Sequence, residues 1–111
     1  MPWLRDVRVI DFSSGIAGPY CTKLFGDAGA DVIKVEPPGG DSLRRWSATG
    51  ADLRGEDGAL FRFLNASKRS VVGQPGDAAV LDLIASADLV VEDLPIGVID
   101  ALDLPRRFPA L

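Results

Sequence analysis

The chain has 111 residues, 47% of them apolar, and a formal net charge of −4. This length suits one domain, and the acidic balance argues against nucleic acid or an anionic membrane surface as a partner. The absence of histidine and the single cysteine exclude a serine–histidine pair, an internal disulfide and a structural zinc site.

Cellular location follows from what the sequence lacks. No segment has the apolar core of a signal peptide, and no apolar run approaches the roughly 18 residues that indicate a membrane span. The lone Cys21 fits a reducing compartment, and we expect it to pack inside a helix. These features predict a soluble, cytoplasmic protein that does not bind membranes.

The chain begins with a predicted strand and helix. Residues 7–12 are short, apolar and rich in β-branched side chains, which predicts a buried strand. Pro19 suits the first turn of a helix that continues through residues 20–30, with Leu24, Phe25 and Ala28 on its apolar side and Gly29 as its C-terminal stop. The small residues between strand and helix therefore form a tight connection.

The rest of the chain continues the alternation. Its predicted elements are a strand at 31–36, an irregular segment at 42–58, a short helix at 58–67, a strand at 68–73, an amphipathic helix at 78–87, a strand at 88–93 and a short final helix within 94–102. This order predicts an α/β fold with a Rossmann-like open parallel sheet flanked by helices. In such sheets, ligands bind beyond the carboxyl ends of the strands.

A dinucleotide is one candidate ligand for that edge. Glu36 ends the second strand about 20 residues after the first loop, where an acid would hold a ribose hydroxyl. The glycine spacing, however, is Gly15-x-x-Gly18 rather than G-x-G-x-x-G, and the following Pro19 removes an amide that a pyrophosphate would need. A dinucleotide-binding domain is therefore a distant alternative.

Four sequence blocks point to a second candidate. They are AGPY after the first strand, GADVIKVEPPGGD through the second, FLNASKRSVV around residue 65, and ADLVVEDL at the fourth strand. Together they resemble the N-terminal segment of the family III (CaiB/BaiF-type) CoA-transferases, which include formyl and carnitine CoA-transferases and α-methylacyl-CoA racemases. The blocks follow the family's order and cover nearly the whole chain.

The resemblance implies one N-terminal domain at residues 1–111, in a homo-oligomer, that binds coenzyme A or acyl-CoA without a metal. The implied reaction transfers CoA between an acyl-CoA and a carboxylic acid. The resemblance also implies CoA contacts at Ile16, Ala17, Gly18, Pro37, Asn65, Lys68, Arg69, Asp93 and Gly97. Small residues allow the backbone to approach the thioester arm, and Lys68 and Arg69 could pair with phosphate oxygens.

The sequence departs from the family at functional positions. The family's nucleophilic aspartate, which forms a covalent intermediate, lies downstream of every matched block. We therefore expect this chain alone to be inactive, either as part of a longer transferase or as a non-catalytic CoA-binding or scaffolding module. Asp93 replaces a family asparagine and Ala101 an arginine, and an acid at position 93 would repel a phosphate.

Purely structural interpretations compete with these assignments. The glycines of the first loop could serve turn geometry alone, and Lys68 and Arg69 could form a solvated pair before a strand. Glu36 could pair with a neighbouring arginine. Trp46, which follows two arginines, could stack on an adenine or pack within a surface loop.

Overall fold

A computed structural model describes residues 2–111. It contains four parallel strands in the order β3-β2-β1-β4. The strands are β1 (Arg8–Asp11), β2 (Asp31–Glu36), β3 (Lys68–Val72) and β4 (Leu89–Val91), and the helices are α1 (Ala17–Asp27), α2 (Ala59–Asn65), α3 (Ala78–Ala85) and α4 (Leu104–Arg107). Short 3₁₀ turns occupy Ser42–Arg45 and Asp100–Leu102. The predicted α/β class, an open parallel sheet flanked by helices, is confirmed.

One face of the sheet is apolar. Strand alternation places Ile10 of β1 and both Ile33 and Val35 of β2 on this face, because residues two apart in a strand point the same way. These side chains pack against Val80 and Ile84 of α3 and against the side chain of Leu104. The hydrophobic core therefore lies between the sheet and helices α3 and α4.

The opposite face, covered by α1 and α2, divides into an apolar half and a charged half. Near the amino ends of the strands, Val9 and Val32 pack against Phe25 of α1. Toward the carboxyl ends, the same face carries three buried charged side chains, Asp11, Lys34 and Glu36, and Lys68 at the start of β3 extends its buried ammonium to Asp11. This buried charged layer lies directly below the edge at which ligands bind in parallel sheets.

Helix α1 begins three residues earlier than the sequence predicts and ends where it predicts. Gly29 follows the helix with φ +103°, and its N–H donates to the Gly26 carbonyl at 3.0 Å. A Cβ at that position would also lie 2.5 Å from Pro2 Cβ, so glycine is required there. With 11 residues α1 is long for this chain, yet no helix within residues 2–111 is both long and apolar enough to cross a membrane.

Two expectations about α1 are wrong. Leu24, predicted on the apolar side, is 52% exposed, and Cys21, predicted to pack inside, is exposed. The helix instead turns Pro19 and Thr22 toward the sheet. The reason is the charged layer beneath it, because the Thr22 hydroxyl donates a hydrogen bond to the buried Asp11 carboxylate.

The core assignment predicts a contrast between two apolar truncations. Ile84→Ala empties a fully buried position between α3 and the sheet and should lower the free energy of unfolding by about 2–5 kcal/mol. Leu24→Ala, on the exposed side of α1, should change it by roughly 0.5 kcal/mol or less. Urea unfolding followed by circular dichroism measures both, and equal losses would contradict the assignment of these two faces.

Candidate functional site

Three loops that follow the carboxyl ends of β1, β2 and β4 surround a cleft of about 320 Å³. Its lining consists of residues 12–14, 34–37, 40–42 and 93–95. The volume falls in the range of small-molecule sites, and the position is the one at which open parallel sheets bind ligands. We take this cleft as the candidate functional site.

Asp11, at the end of β1, organises the floor of the site. Its Oδ1 accepts hydrogen bonds from the Ser13 backbone N–H at 2.8 Å and from the Ser13 hydroxyl at 2.5 Å. Its Oδ2 accepts from the Thr22 hydroxyl at 2.6 Å and from Lys68 Nζ at 3.0 Å. Burial acts to raise the pKa of Asp11, but these hydrogen bonds and the Lys68 charge outweigh burial and hold that pKa below its usual value. The carboxylate therefore stays charged and fixes the chain where it leaves β1.

Lys68 lies beneath the first turn of α1 and faces away from solvent. Its side chain is 1% exposed, and its ammonium donates to Asp11 Oδ2, to Asn65 Oδ1 at 2.7 Å and to the Pro19 carbonyl at 3.0 Å. Burial lowers the pKa of Lys68, and attraction to Asp11 opposes this shift only in part. The interpretation of Lys68 as a solvated residue is wrong. Its three N–H donors already have protein partners, so in this conformation Lys68 supports α1.

Arg69 points to the other face of the sheet. Its guanidinium contacts both oxygens of Asp31, at 2.6 and 2.8 Å, and Asp31 also accepts from Arg8 Nε at 2.9 Å. The Arg69 side chain is 64% exposed. Adjacent positions in a strand face opposite ways, which separates Arg69 from Lys68 and from the cleft.

Lys34 and Asp41 form a second buried ion pair, within the cleft wall. Lys34 Nζ lies 3.0 Å from Asp41 Oδ2 and donates to the Ser13 carbonyl at 2.7 Å. Asp41 Oδ1 accepts from the Leu43 backbone N–H at 2.9 Å and so caps the 3₁₀ turn. The pair thus contacts both the loop after β1 and the loop after β2.

Glu36 forms a third pair, with Arg44. Arg44 donates from Nε and Nη2 at 2.8 and 2.7 Å, the Asp41 N–H donates at 2.8 Å, and the Ser70 hydroxyl also donates to the Glu36 carboxylate. The bonds from Arg44 are the main cause that lowers the pKa of Glu36 to about 2. Both carboxylate oxygens are therefore occupied, which removes the ribose-binding acid on which the dinucleotide interpretation depended. The alternative of pairing with an arginine is confirmed.

The aromatic contact near this pair differs from the expected one. The Arg44 guanidinium lies over the Phe61 ring, 4.2 Å from its centroid. Trp46 is half exposed and belongs to a neighbouring surface loop outside the cleft lining. The structure thus gives Arg44 a packing partner that the sequence interpretation missed.

The first turn of α1 carries three predicted contact residues, Ile16, Ala17 and Gly18. Ile16 is the N-cap residue of α1. Its apolar side chain cannot accept a hydrogen bond, so it does not cap the backbone N–H groups of the first turn. A Cβ on Gly18 would lie 2.2 Å from Ser13 Cβ and 2.4 Å from Ser13 Oγ. Gly18 is therefore needed to let α1 approach the loop after β1.

Asp93 reaches the same place from β4. Both of its carboxylate oxygens lie 3.1 Å from the Ser14 backbone nitrogen, which donates to them. A Cβ on Gly18 would be 3.7 Å from Asp93 Oδ2, so this carboxylate lies close to the N-terminus of α1. A negative charge there is stabilised by the helix dipole.

The nine predicted contact residues therefore fall into three groups. Pro37 and Asp93 line the cleft, and Gly18 borders it through its approach to Ser13 and Asp93, with Ile16 and Ala17 directly before it in the chain. Asn65 and Lys68 lie one layer below, against Asp11. Arg69 and the exposed Gly97 lie outside the cleft lining. Contact of each with CoA remains a prediction.

Sequence reasoning missed four residues that shape the site: Asp11, Lys34, Asp41 and Arg44. A signal was present in the stretch VIKVE, where alternation places Val32, Lys34 and Glu36 on one face of the strand. Two charges on the buried face of a strand require partners, so the pattern alone called for a polar network.

Three of the carboxylates at and below the cleft are paired with cations, whereas Asp93 accepts from the Ser14 backbone N–H. Asp11, Asp41 and Glu36 face Lys68, Lys34 and Arg44 respectively. Within residues 2–111, no three histidine, cysteine or acidic side chains gather in a way that could hold a metal ion. These acids therefore act here as partners for buried cations.

Comparison with known proteins adds independent findings. A model of CoA-transferase family III matches residues 4–107. Succinyl-CoA:mesaconate CoA-transferase of Haloarcula hispanica is 43% identical over 105 residues, covering 90% of this chain and 26% of that protein. Formyl-CoA:oxalate CoA-transferase of Rhodopseudomonas palustris is 38% identical over 106 residues, covering 92% and 24%. The chain thus spans about a quarter of the length of these relatives.

A solved structure gives the same result for the fold. The crystal structure of the protein Rv3272 from Mycobacterium tuberculosis superposes with a TM-score of 0.80 at 32% sequence identity. The match covers 97% of this chain and 31% of that one. The sheet order and helix placement described above are therefore those of a known architecture.

The Glu36–Arg44 pair predicts a pH-dependent stability. The pKa of Glu36 is lowered on folding, so its contribution is fully present above about pH 4.5 and is lost as the pH falls toward about 2. Glu36→Gln should cost about 3 kcal/mol at pH 7 and flatten the loss of stability between pH 5 and pH 3. Urea unfolding at several pH values measures both. The control is Glu56→Gln, at an exposed position, and an unchanged pH profile in Glu36→Gln would contradict the assignment.

Proposed function

Because this chain belongs to CoA-transferase family III, we propose that it forms the N-terminal, CoA-binding part of an enzyme that transfers CoA between an acyl-CoA and a carboxylic acid. The nucleophilic aspartate of such an enzyme is proposed to lie outside these 111 residues. On this proposal the chain holds CoA and does not by itself turn over substrate. Membership of the family supports CoA as the ligand, while the acyl group and acceptor stay open.

The observation that carries the proposal is the convergence of three strand-end loops on one cleft. The loops after β1, β2 and β4 contribute Ser14, Pro37 and Asp93, which line it together. Two regions predicted to contact CoA, more than 50 residues apart in the chain, thereby become neighbours. Such an edge suits an extended phosphorylated ligand, because backbone amides and small side chains are exposed where strands end.

Within this cleft, residues 16–18 are proposed to contact the ligand through their backbone. The first-turn amides at the N-terminus of α1 favour a phosphate or another negatively charged group. Lys68 and Asn65 are proposed to act from beneath, since their hydrogen bonds hold the Pro19 carbonyl and Asp11. Arg69 and Gly97 would contact only a portion of CoA that extends beyond the cleft.

Asp93 is proposed to weaken binding of an anionic ligand. Its carboxylate accepts from the Ser14 N–H and lies near the N-terminus of α1, where the sheet edge would otherwise offer donors to a phosphate. A fixed negative charge at that place repels CoA. An asparagine at position 93, as the family has, would still accept a hydrogen bond from the Ser14 N–H but would carry no negative charge.

The single N-terminal domain, the homo-oligomeric state and the cytoplasmic location are proposed on the family resemblance. Large apolar side chains that are exposed, such as Trp3, Phe63 and Ile96, support burial against another protein surface.

The proposal predicts a specific pattern of ligand binding. Calorimetric titration should give weak binding of CoA to the wild-type chain and no heat with NAD. Asp93→Asn should tighten CoA binding by about three- to tenfold, because a repulsive charge is lost while the acceptor for Ser14 remains.

The matched control is Asp82→Asn, which removes the same charge from an exposed position on α3, the helix on the other face of the sheet. It should leave CoA affinity unchanged. Heat with NAD alone would favour the dinucleotide alternative, and the absence of any heat with CoA in both the wild-type chain and Asp93→Asn would contradict the proposed function.

A further inference from the structure

We infer that Lys34 is a positioning residue that sets the width of the cleft by holding two of its three walls together. The first wall is the loop after β1, residues 12–16, and the second is the loop after β2, residues 37–41. The inference rests on the proposed function only in naming CoA as the ligand whose binding depends on this width.

One ammonium group contacts both walls. Lys34 Nζ donates to the Ser13 carbonyl at 2.7 Å in the first wall and lies 3.0 Å from Asp41 Oδ2 in the second. The side chains of Lys34 and Asp41 are each 2% exposed. Water is excluded from the pair, so the ammonium has no ready substitute for either contact.

Each wall is in turn held firmly where Lys34 meets it. Ser13 donates its backbone N–H and its hydroxyl to Asp11. Asp41 donates its backbone N–H to Glu36 and accepts the Leu43 N–H. A displacement of either wall relative to its own strand would therefore have to break several hydrogen bonds. Lys34 connects the hydrogen bonds of the first wall to those of the second.

Filling of the core does not account for a lysine at this position. On the same face of β2, Val32 is a buried apolar residue, and an apolar side chain at position 34 would likewise avoid the free-energy cost of burying a charge. Only the ammonium both satisfies the Ser13 carbonyl and neutralises Asp41. In residues 2–111, Asp41 Oδ2 makes no geometrically satisfactory hydrogen bond, so its contact with Lys34 is chiefly electrostatic.

Lys34 is assigned no direct contact with the ligand. Its ammonium is taken up by the Ser13 carbonyl and Asp41, and its side chain is buried, whereas Ser14 and Pro37 of the cleft lining are exposed. Loss of Lys34 would let the first wall move relative to the second. Ligand contacts made by both walls at once would then weaken together.

The test separates positioning from charge compensation. Lys34→Met removes the link and leaves Asp41 buried without a cation, which lowers stability. The double variant Lys34→Met, Asp41→Asn removes both charges and keeps an acceptor for the Leu43 N–H, so most of the stability should return. Lys23→Met, which removes the Lys23–Asp27 pair on α1, is the matched control.

Hydrogen exchange of individual amides, measured by NMR without ligand, reports the walls directly. In the double variant we expect the Ser13 and Ser14 amides to exchange at least about tenfold faster than in the wild type, while those of Ile33 and Val35 stay protected. Affinity for CoA should fall by about tenfold in the same variant. The Lys23→Met control should change neither the exchange rates of these two pairs of amides nor the affinity for CoA.

Restoration of slow Ser13 and Ser14 exchange in the double variant would overturn the inference, because Lys34 would then act only to neutralise Asp41. Faster exchange at Ser13 and Ser14 alone would support it. If the wild-type chain and Asp93→Asn both fail to bind CoA, the proposed function fails, and the exchange data still decide whether Lys34 holds the walls.

Discussion

Charges buried between the sheet and its covering elements must pair with one another. This requirement determines how the chain is arranged around the carboxyl ends of the strands. An isolated buried charge is strongly unfavourable, whereas a buried pair with further hydrogen bonds is tolerated. The pairs Asp11–Lys68, Lys34–Asp41 and Glu36–Arg44 meet this condition. Each one joins a strand to a different part of the chain, so the sheet, α1 and the loop after β2 must take up their positions together.

The two faces of the sheet therefore have different physical roles. The apolar face against α3 and α4 provides cohesion without directional constraints, since hydrophobic burial is roughly proportional to area. The charged layer fixes the orientation of the elements that it joins, because hydrogen bonds require particular distances and angles. It lies directly under the ligand-binding edge, and the groups that determine how the loops sit are the same groups that shape the cleft. Stability and the proposed CoA site are coupled through those groups.

The sequence predicted the strands and helices α1 to α3 because their signals are local. The final helix predicted within residues 94–102 was wrong, since α4 lies at Leu104–Arg107 and only a 3₁₀ turn lies at Asp100–Leu102. Residues 31–36 became β2 with the expected bounds, and Gly29 ended α1 as expected. The placement of Leu24 on α1 was wrong, because Thr22 faces the sheet to reach Asp11 and Leu24 lies outside, whereas Phe25 packs against the sheet as predicted. Lys68 was expected to be available to solvent or phosphate, yet its partners Asp11 and Pro19 lie about 50 residues away in the chain. Contacts of that kind depend on strand order, which periodicity does not contain.

We propose that the cleft between the loops after β1, β2 and β4 holds CoA. NMR amide shifts of the ¹⁵N-labelled chain, mapped during titration with CoA, would locate the ligand. We expect the largest changes at Ser14, Gly18, Gly40 and Leu94, with small changes at Arg69 and around Trp46. Saturating changes centred on Trp46 or on the Arg8–Arg69 face, with none at the cleft, would contradict it.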